Sequence, residues 1–207
     1  MSWESLRLWA DDEEKRIHEC IIRSLRQLIS NNIVKPIDNE LMISGQLRPL
    51  IRRFRNSLKI AWTLHSEASC FLNEDDPKPI GHPDFRFSGN ALNEEQYDYD
   101  IECKLVRIKR LGKDWDYCEH YVKDGVQRFQ DGKYAQLVPA MGTMIGYLQE
   151  GDEALLVQFV NVAAKNSNLG PINFTDKFAY KDVSLLSQFL QRPDGSLNLH
   201  HLWADLR

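Results

Sequence analysis

The chain has 207 residues, 43% of them hydrophobic, 27% charged and 10% aromatic, with a net charge of −4 at neutral pH. That length supports one good hydrophobic core and crowds out a second full domain, and the composition excludes a disordered or fibrous chain. No apolar run approaches the ~20 residues that cross a bilayer, and the first ten residues lack the basic start and apolar stretch of a secretory signal, so a soluble, cytoplasmic protein with no membrane segment is expected.

In chain order, Leu6, Trp9, Ile17, Ile21, Leu25 and Leu28 recur at helical spacing, which predicts helix over about 3–30. Asp11 to Glu14 would suit a helix start inside that span, so two helices are an alternative to one. Residues 1–36 therefore read as an N-terminal helical segment and 37–207 as the main body of a single compact domain. Two tryptophans in the first segment, Trp3 and Trp9, make it a candidate docking face for another protein subunit. A second helix starts at Asp38-Asn39, with Leu41, Leu47, Leu50, Ile51 and Phe54 on one side; Gly45 and Pro49 weaken it.

The period then changes to two. Leu58, Ile60, Trp62 and Leu64 alternate with polar or small residues, which predicts a strand. Residues 73–83, rich in Pro, Asp and Gly, predict a loop. Alternation resumes over 84–88, and after a polar stretch a longer strand is expected from Tyr97 to Ile108. Asp116 to Gln130 reads as helix ending at Gly132, and 134–148 as a buried strand region. Asp152 caps a helix to Ala164. Arg192-Pro193-Asp194-Gly195 is a turn signal between strand-like runs at 183–191 and 196–203, hence a hairpin. The order predicts an α/β domain with a mixed central sheet flanked by helices.

The four cysteines, Cys20, Cys70, Cys103 and Cys118, contain no C-x-x-C pair and are expected to be free and mostly buried. Cys118-Glu119-His120 is the nearest approach to a zinc cluster, but no second pair completes four ligands. Nucleophile-elbow, P-loop and dinucleotide-binding patterns are absent, which argues against serine hydrolysis, ATP hydrolysis and nicotinamide chemistry. The acidic balance argues mildly against nucleic acid. Two basic clusters, 48–59 and 104–113, remove that objection.

The residues that carry chemistry lie on two strands. Side chains two apart share a face, so Asp84 and Arg86 lie opposite Phe85 and Phe87, while Glu102 and Lys104 lie opposite Ile101, Cys103 and Leu105. Two acids and a lysine on one face of neighbouring strands suit Mg²⁺ or Mn²⁺, which takes one or two carboxylates plus water and substrate phosphate. Lys104, about 6.6 Å along the strand from Glu102, can orient the attacking water.

Pro83-Asp84, seventeen residues, then Glu102-Cys103-Lys104 resembles the PD-(D/E)xK motif of restriction-endonuclease-like nucleases. The segment from Tyr121 through Gly125, Arg128 and Gly132-Lys133-Tyr134-Ala135 to Met144-Ile145-Gly146-Tyr147 is similar to one recurring in bacterial members linked to phage defence. The resemblance covers about 40–149. It implies a restriction-endonuclease-like core and metal-dependent cleavage of DNA, centred on Asp84, Glu102 and Lys104. It also implies an auxiliary acid, for which Glu40 is the candidate and Glu67 the competitor, and a metal contact from the backbone carbonyl of Cys103. Arg52, Arg53, Arg128 and Tyr121 are the candidate nucleic-acid contacts, though Arg128 equally suits a structural ion pair. Rival expectations are a nuclease-fold subunit that binds nucleic acid or a partner without cutting, a homo-oligomer of it, or cleavage of RNA or branched repair DNA. His200-His201 suits a structural role better than a catalytic one.

Overall fold

A computed structural model describes residues 3–35, 38–70, 78–90, 96–107, 117–136, 140–176, 182–193 and 195–207, and within them all side chains but those of 3–8, 10 and 176. Helix α1 (Trp3–Asn31) is one continuous helix rather than two. Its apolar side, from Ile17 through Cys20, Ile21 and Leu25 to Leu28, is wholly buried, so the segment belongs to the core of the domain. Trp9 stacks on Trp62 at 5.7 Å and meets the edge of Tyr97 at 5.2 Å. That tryptophan is packed internally, which removes half of the expected docking face; the side chain of Trp3 lies outside the described residues.

Helix α2 (Glu40–Ser57) runs through Gly45 and Pro49 without breaking. Both face outward, where water can satisfy the Gly45 carbonyl that the proline ring leaves without a donor. Asn39 caps the start, accepting from the Met42 N–H at 3.0 Å. The end is a Schellman turn: Ile60 N–H donates to the Arg55 carbonyl at 3.0 Å and Lys59 stands at φ 52°. This corrects the expected strand from Leu58. Ile60, Trp62 and Leu64 are buried as their alternation implied, but residues 58–60 finish the helix and pairing begins only with β1 (Thr63–Ser66).

The other strands are β2 (Phe85–Asn90), β3 (Gln96–Val106), β4 (Met141–Leu148), β5 (Asn173–Asp176), β6 (Val183–Arg192) and β7 (Gly195–Asp205). They form one seven-stranded sheet in the order β1-β2-β3-β4-β7-β6-β5. β3, β4 and β7 run parallel at the centre and the outer pairs are antiparallel. The predicted C-terminal hairpin is present as β6–β7, with Gly195 at φ 139°; Asp194 lies outside the described residues. β4 is shorter than expected. Ahead of it the chain leaves Gly132 at φ 70° and Ala135 at φ 52°, while buried Arg192 holds the Tyr134 and Ala135 carbonyls at 3.2 and 2.9 Å, a conformation no ladder accommodates.

α1 and α2 cover one face of the sheet. The other carries α3 (Tyr117–Tyr121), a π-helical turn (Val122–Val126), α4 (Gln127–Gln130) and α5 (Glu153–Asn166). The fold is therefore α/β, a mixed sheet flanked by helices. Among the described residues no helix is long and apolar enough to cross a membrane. Lys109, Arg110, Lys113, Trp115 and residues 73–77 of the predicted 73–83 loop lie outside the described residues.

Candidate active site

The central strand β3 is buried on both faces, and its register sorts the side chains as alternation predicts. Ile101, Cys103 and Leu105 enter the core beneath α1 and α2. Asp100, Glu102 and Lys104 project from the opposite face. Asp100 serves the fold. Its carboxylate accepts from Arg86 Nε at 2.6 Å, Arg86 Nη2 at 2.9 Å and the Ala135 N–H at 2.8 Å, tying β2, β3 and the segment after α4 together. The other two belong to a different cluster.

Asp84 stands one residue before β2. Its Oδ2 accepts from the Cys103 N–H at 2.7 Å, which aims the carboxylate at the Glu102–Lys104 stretch. Lys104 Nζ donates to Glu102 Oε1 at 2.7 Å, Glu40 Oε1 at 2.9 Å and the Cys103 carbonyl at 3.0 Å. Glu40, the first residue of α2, also accepts the Leu105 N–H on Oε2 at 3.2 Å. Glu40 rather than Glu67 thus joins the group. Glu67 is exposed at the end of β1 with φ 53°, and only its backbone N–H reaches the Asp84 carbonyl, at 3.2 Å.

Burial governs the electrostatics. Desolvation pushes the Asp84 carboxyl up to about 6, against the stabilising charge of Lys104 and the Cys103 N–H. Glu102 is pushed up to about 7 by desolvation, opposed by Lys104 and reinforced by the negative charge of Asp84. For Lys104 desolvation acts downward, but the charges of Glu102, Glu40 and Asp84 outweigh it and hold the ammonium above its ordinary value. Glu102 Oε2 is buried without a hydrogen-bond partner, an unsatisfied carboxylate oxygen at the centre of the group.

Arg128 joins from α4. Its Nη1 donates to Glu102 Oε1 at 3.1 Å and to the Tyr134 hydroxyl at 2.6 Å, so it makes the ion pair with the motif acid. Tyr121 does not accompany it. That ring is fully buried, with its hydroxyl bonded to His201 Nδ1 at 2.8 Å and accepting from Trp203 Nε1 at 3.0 Å. This corrects its expected contact with nucleic acid. Seven residues of plain α-helix would put Tyr121 and Arg128 on one face; the π turn at 122–126 inserts one residue, rotating the residues after it by about 100°. At that turn Gly125 approaches closely: a Cβ there would stand 3.5 Å from Lys104 Cγ and 2.4 Å from the Met144 methyl.

Arg52 and Arg53 are exposed on α2, about 18–20 Å along the helix from Glu40, and do not reach this group. His201 is fully buried. All four cysteines are free and buried. His120 pairs with Asp124 instead of with Cys118.

A cleft of about 430 Å³ opens beside the cluster, between Glu40 and Lys104 on one side and Arg107, Tyr117, His120 and Arg128 on the other. In the sequence Arg107 is only one of a run of basic residues, and Tyr117 and His120 give no signal beyond their places on a predicted helix. Among the described residues no group of three or more His, Cys, Asp or Glu side chains is placed to hold a metal ion. The available oxygen set is the carboxylates of Asp84 and Glu102 with the Cys103 carbonyl, within the one or two carboxylates on which magnesium relies. No protein-family model, curated protein or solved structure matches the chain.

Proposed function

We propose that the chain is a metal-dependent nuclease of restriction-endonuclease-like fold that hydrolyses DNA phosphodiester bonds. One observation carries the reading: Lys104 Nζ sits among oxygens of Glu40, Glu102 and Cys103 beside a buried Glu102 Oε2 that has no partner. A cationic group already occupies this nest of oxygens, and one carboxylate oxygen remains for another cation. The donor set, hard oxygens from Asp84, Glu102 and the Cys103 carbonyl, fits Mg²⁺ or Mn²⁺. Bound there, the ion would supply Lewis-acid polarisation of the phosphate and a water of lowered pKa.

The chain's own groups account for the rest. The Cys103 N–H fixes the orientation of Asp84. Glu40 and Glu102 hold the Lys104 ammonium, which can hydrogen-bond the attacking water and offset charge on the phosphate. Arg128 anchors Glu102 from the helix side and is half-exposed to the cleft. A part in bacterial defence rests on the likeness of the 121–147 segment alone.

A second reading, a nuclease fold that binds nucleic acid or a partner without cutting, is favoured by the same ion pairs, since Lys104 already neutralises the acids. Cleavage of plasmid or single-stranded DNA by the purified chain with Mg²⁺ or Mn²⁺ separates them. The nuclease reading expects cleavage that EDTA stops and that Asp84→Asn or Lys104→Ala lowers at least ~100-fold with the fold retained. Wild-type rates in either folded variant would remove the mechanism.

A further inference from the structure

The cleft beside Lys104 holds a cation that the cleavage reading does not use. Arg107 lies one residue beyond β3 and is only 9% exposed. Its Nη1 donates to Gln149 Oε1 at 3.3 Å and its Nη2 to the Tyr117 hydroxyl, and the guanidinium carbon stands 4.1 Å from the centre of the Tyr117 ring. Gln149 is itself pinned, donating to the Lys35 and Asp38 carbonyls at 3.3 and 3.0 Å. The guanidinium is thus held from two sides, by neutral groups only. Among the described residues it makes no ion pair, and its Nε–H is buried without a partner.

A buried charge with neither counter-ion nor full hydrogen bonding is costly. The acids that share this cleft are engaged elsewhere: Glu40 with Lys104, Asp124 with His120, and Asp38 with the Lys35 N–H. An anion from outside would relieve the cost, and a planar guanidinium matches phosphate geometry. The volume, about 430 Å³, falls within the range of small-molecule sites, which enclose most of their ligand's surface; a nucleotide stacked and paired within a duplex cannot be enclosed in that way. Lys104 and Arg107, three residues apart, are separated by about 10 Å along the strand direction. One end of the cleft therefore lies at the proposed cleavage centre and the other at Arg107.

We propose that this cleft is a nucleotide subsite, in which Arg107 binds the phosphate next to the scissile one, and that the substrate enters as a single strand. The proposal rests on the nuclease reading for its substrate class, but its test is a binding measurement that needs no cleavage. Thymidine 5′-monophosphate is titrated into the 207-residue chain in EDTA by calorimetry, with inorganic phosphate as a parallel arm. The nucleotide should bind, tighter than phosphate, and Arg107→Gln should weaken it at least tenfold while Arg107→Lys restores part of the affinity. The Arg107 Nε–H resonance of the wild type, followed by ¹⁵N-edited NMR, should shift on titration, a readout that survives even if the variants fail to fold. A single-stranded oligonucleotide should displace the nucleotide, and a blunt duplex of the same sequence should not. An unmoved Nε–H, unchanged affinity in a folded Arg107→Gln, phosphate binding as tight as the nucleotide, or equal displacement by the duplex would overturn the proposal. Failure to cut a single-stranded oligonucleotide with Mg²⁺ or Mn²⁺, with nucleotide binding intact, would count against the nuclease reading alone.

Discussion

Glu102 joins two properties that conflict in a folded protein: near-complete burial and a negative charge. Its carboxyl is pushed up to about 7, first by desolvation, while the unfolded chain releases that proton near 4.5. The folded state thus holds the proton more tightly. The resulting stabilisation is fully present below pH 4.5 and is lost as pH rises through about 7. Glu102→Gln keeps the shape and removes the ionisation, so in EDTA its melting temperature should match wild type near pH 4.5. By pH 8 it should exceed wild type by several degrees, on the order of a few kcal/mol. A difference that stays constant from pH 4.5 to 8 would show that Glu102 does not titrate in this way. At this scale the acids and Lys104 are legible in the sequence because strand alternation ties each residue's face to its number. Tyr121 is not, because a π turn leaves no mark in composition or hydrophobic period. Arg107 is hidden within a charged run, since burial of a single guanidinium emerges only from the packing of Gln149 and Tyr117 around it.

Among the elements, α2 bears directly on the site because Glu40 is its first residue and Asn39 its cap. Removing the cap with Asn39→Ala should cost about 1 kcal/mol in denaturant unfolding. By loosening Glu40 it should lower metal-dependent cleavage more than that loss of stability alone would. A variant destabilised by that amount yet cutting at the wild-type rate would show that the first turn does not position Glu40. At the other end, Lys59 occupies a left-handed position at the C′ site of the Schellman turn, which favours glycine. Lys59→Gly should raise stability by about 0.5–1 kcal/mol, read as a higher denaturation midpoint, and an unchanged or lower midpoint would contradict the assigned turn. This turn also explains why the strand predicted from Leu58 overruns the observed one: the alternation of Ile60, Trp62 and Leu64 reports burial, and burial alternates in a well-packed helix exit as it does in a strand. The short edge strand β5 has no clear sequence signal because four residues, Asn173 to Asp176, carry too little pattern to separate from loop.

For the whole molecule, the helix–strand order is sufficient to place the chain among α/β folds, and the central parallel strands with antiparallel flanks conform to it. The strand order itself is not legible, because it depends on β7 entering beside β4 through contacts far apart in sequence. Nor is the depth of α1 in the core: periodicity marks an apolar face but not its covering. The consequence for function is that the sheet and both helical layers hold Asp84, just ahead of β2, close to Glu102 in β3, with Lys104 between them and the cleft. The most direct test is a crystal equilibrated with Mn²⁺ and measured at an anomalous wavelength. A peak within about 2.0–2.3 Å of oxygens from Asp84, Glu102 and the Cys103 carbonyl is the predicted result. No anomalous peak there at saturating Mn²⁺, with the Lys104 ion pairs unchanged, would contradict it.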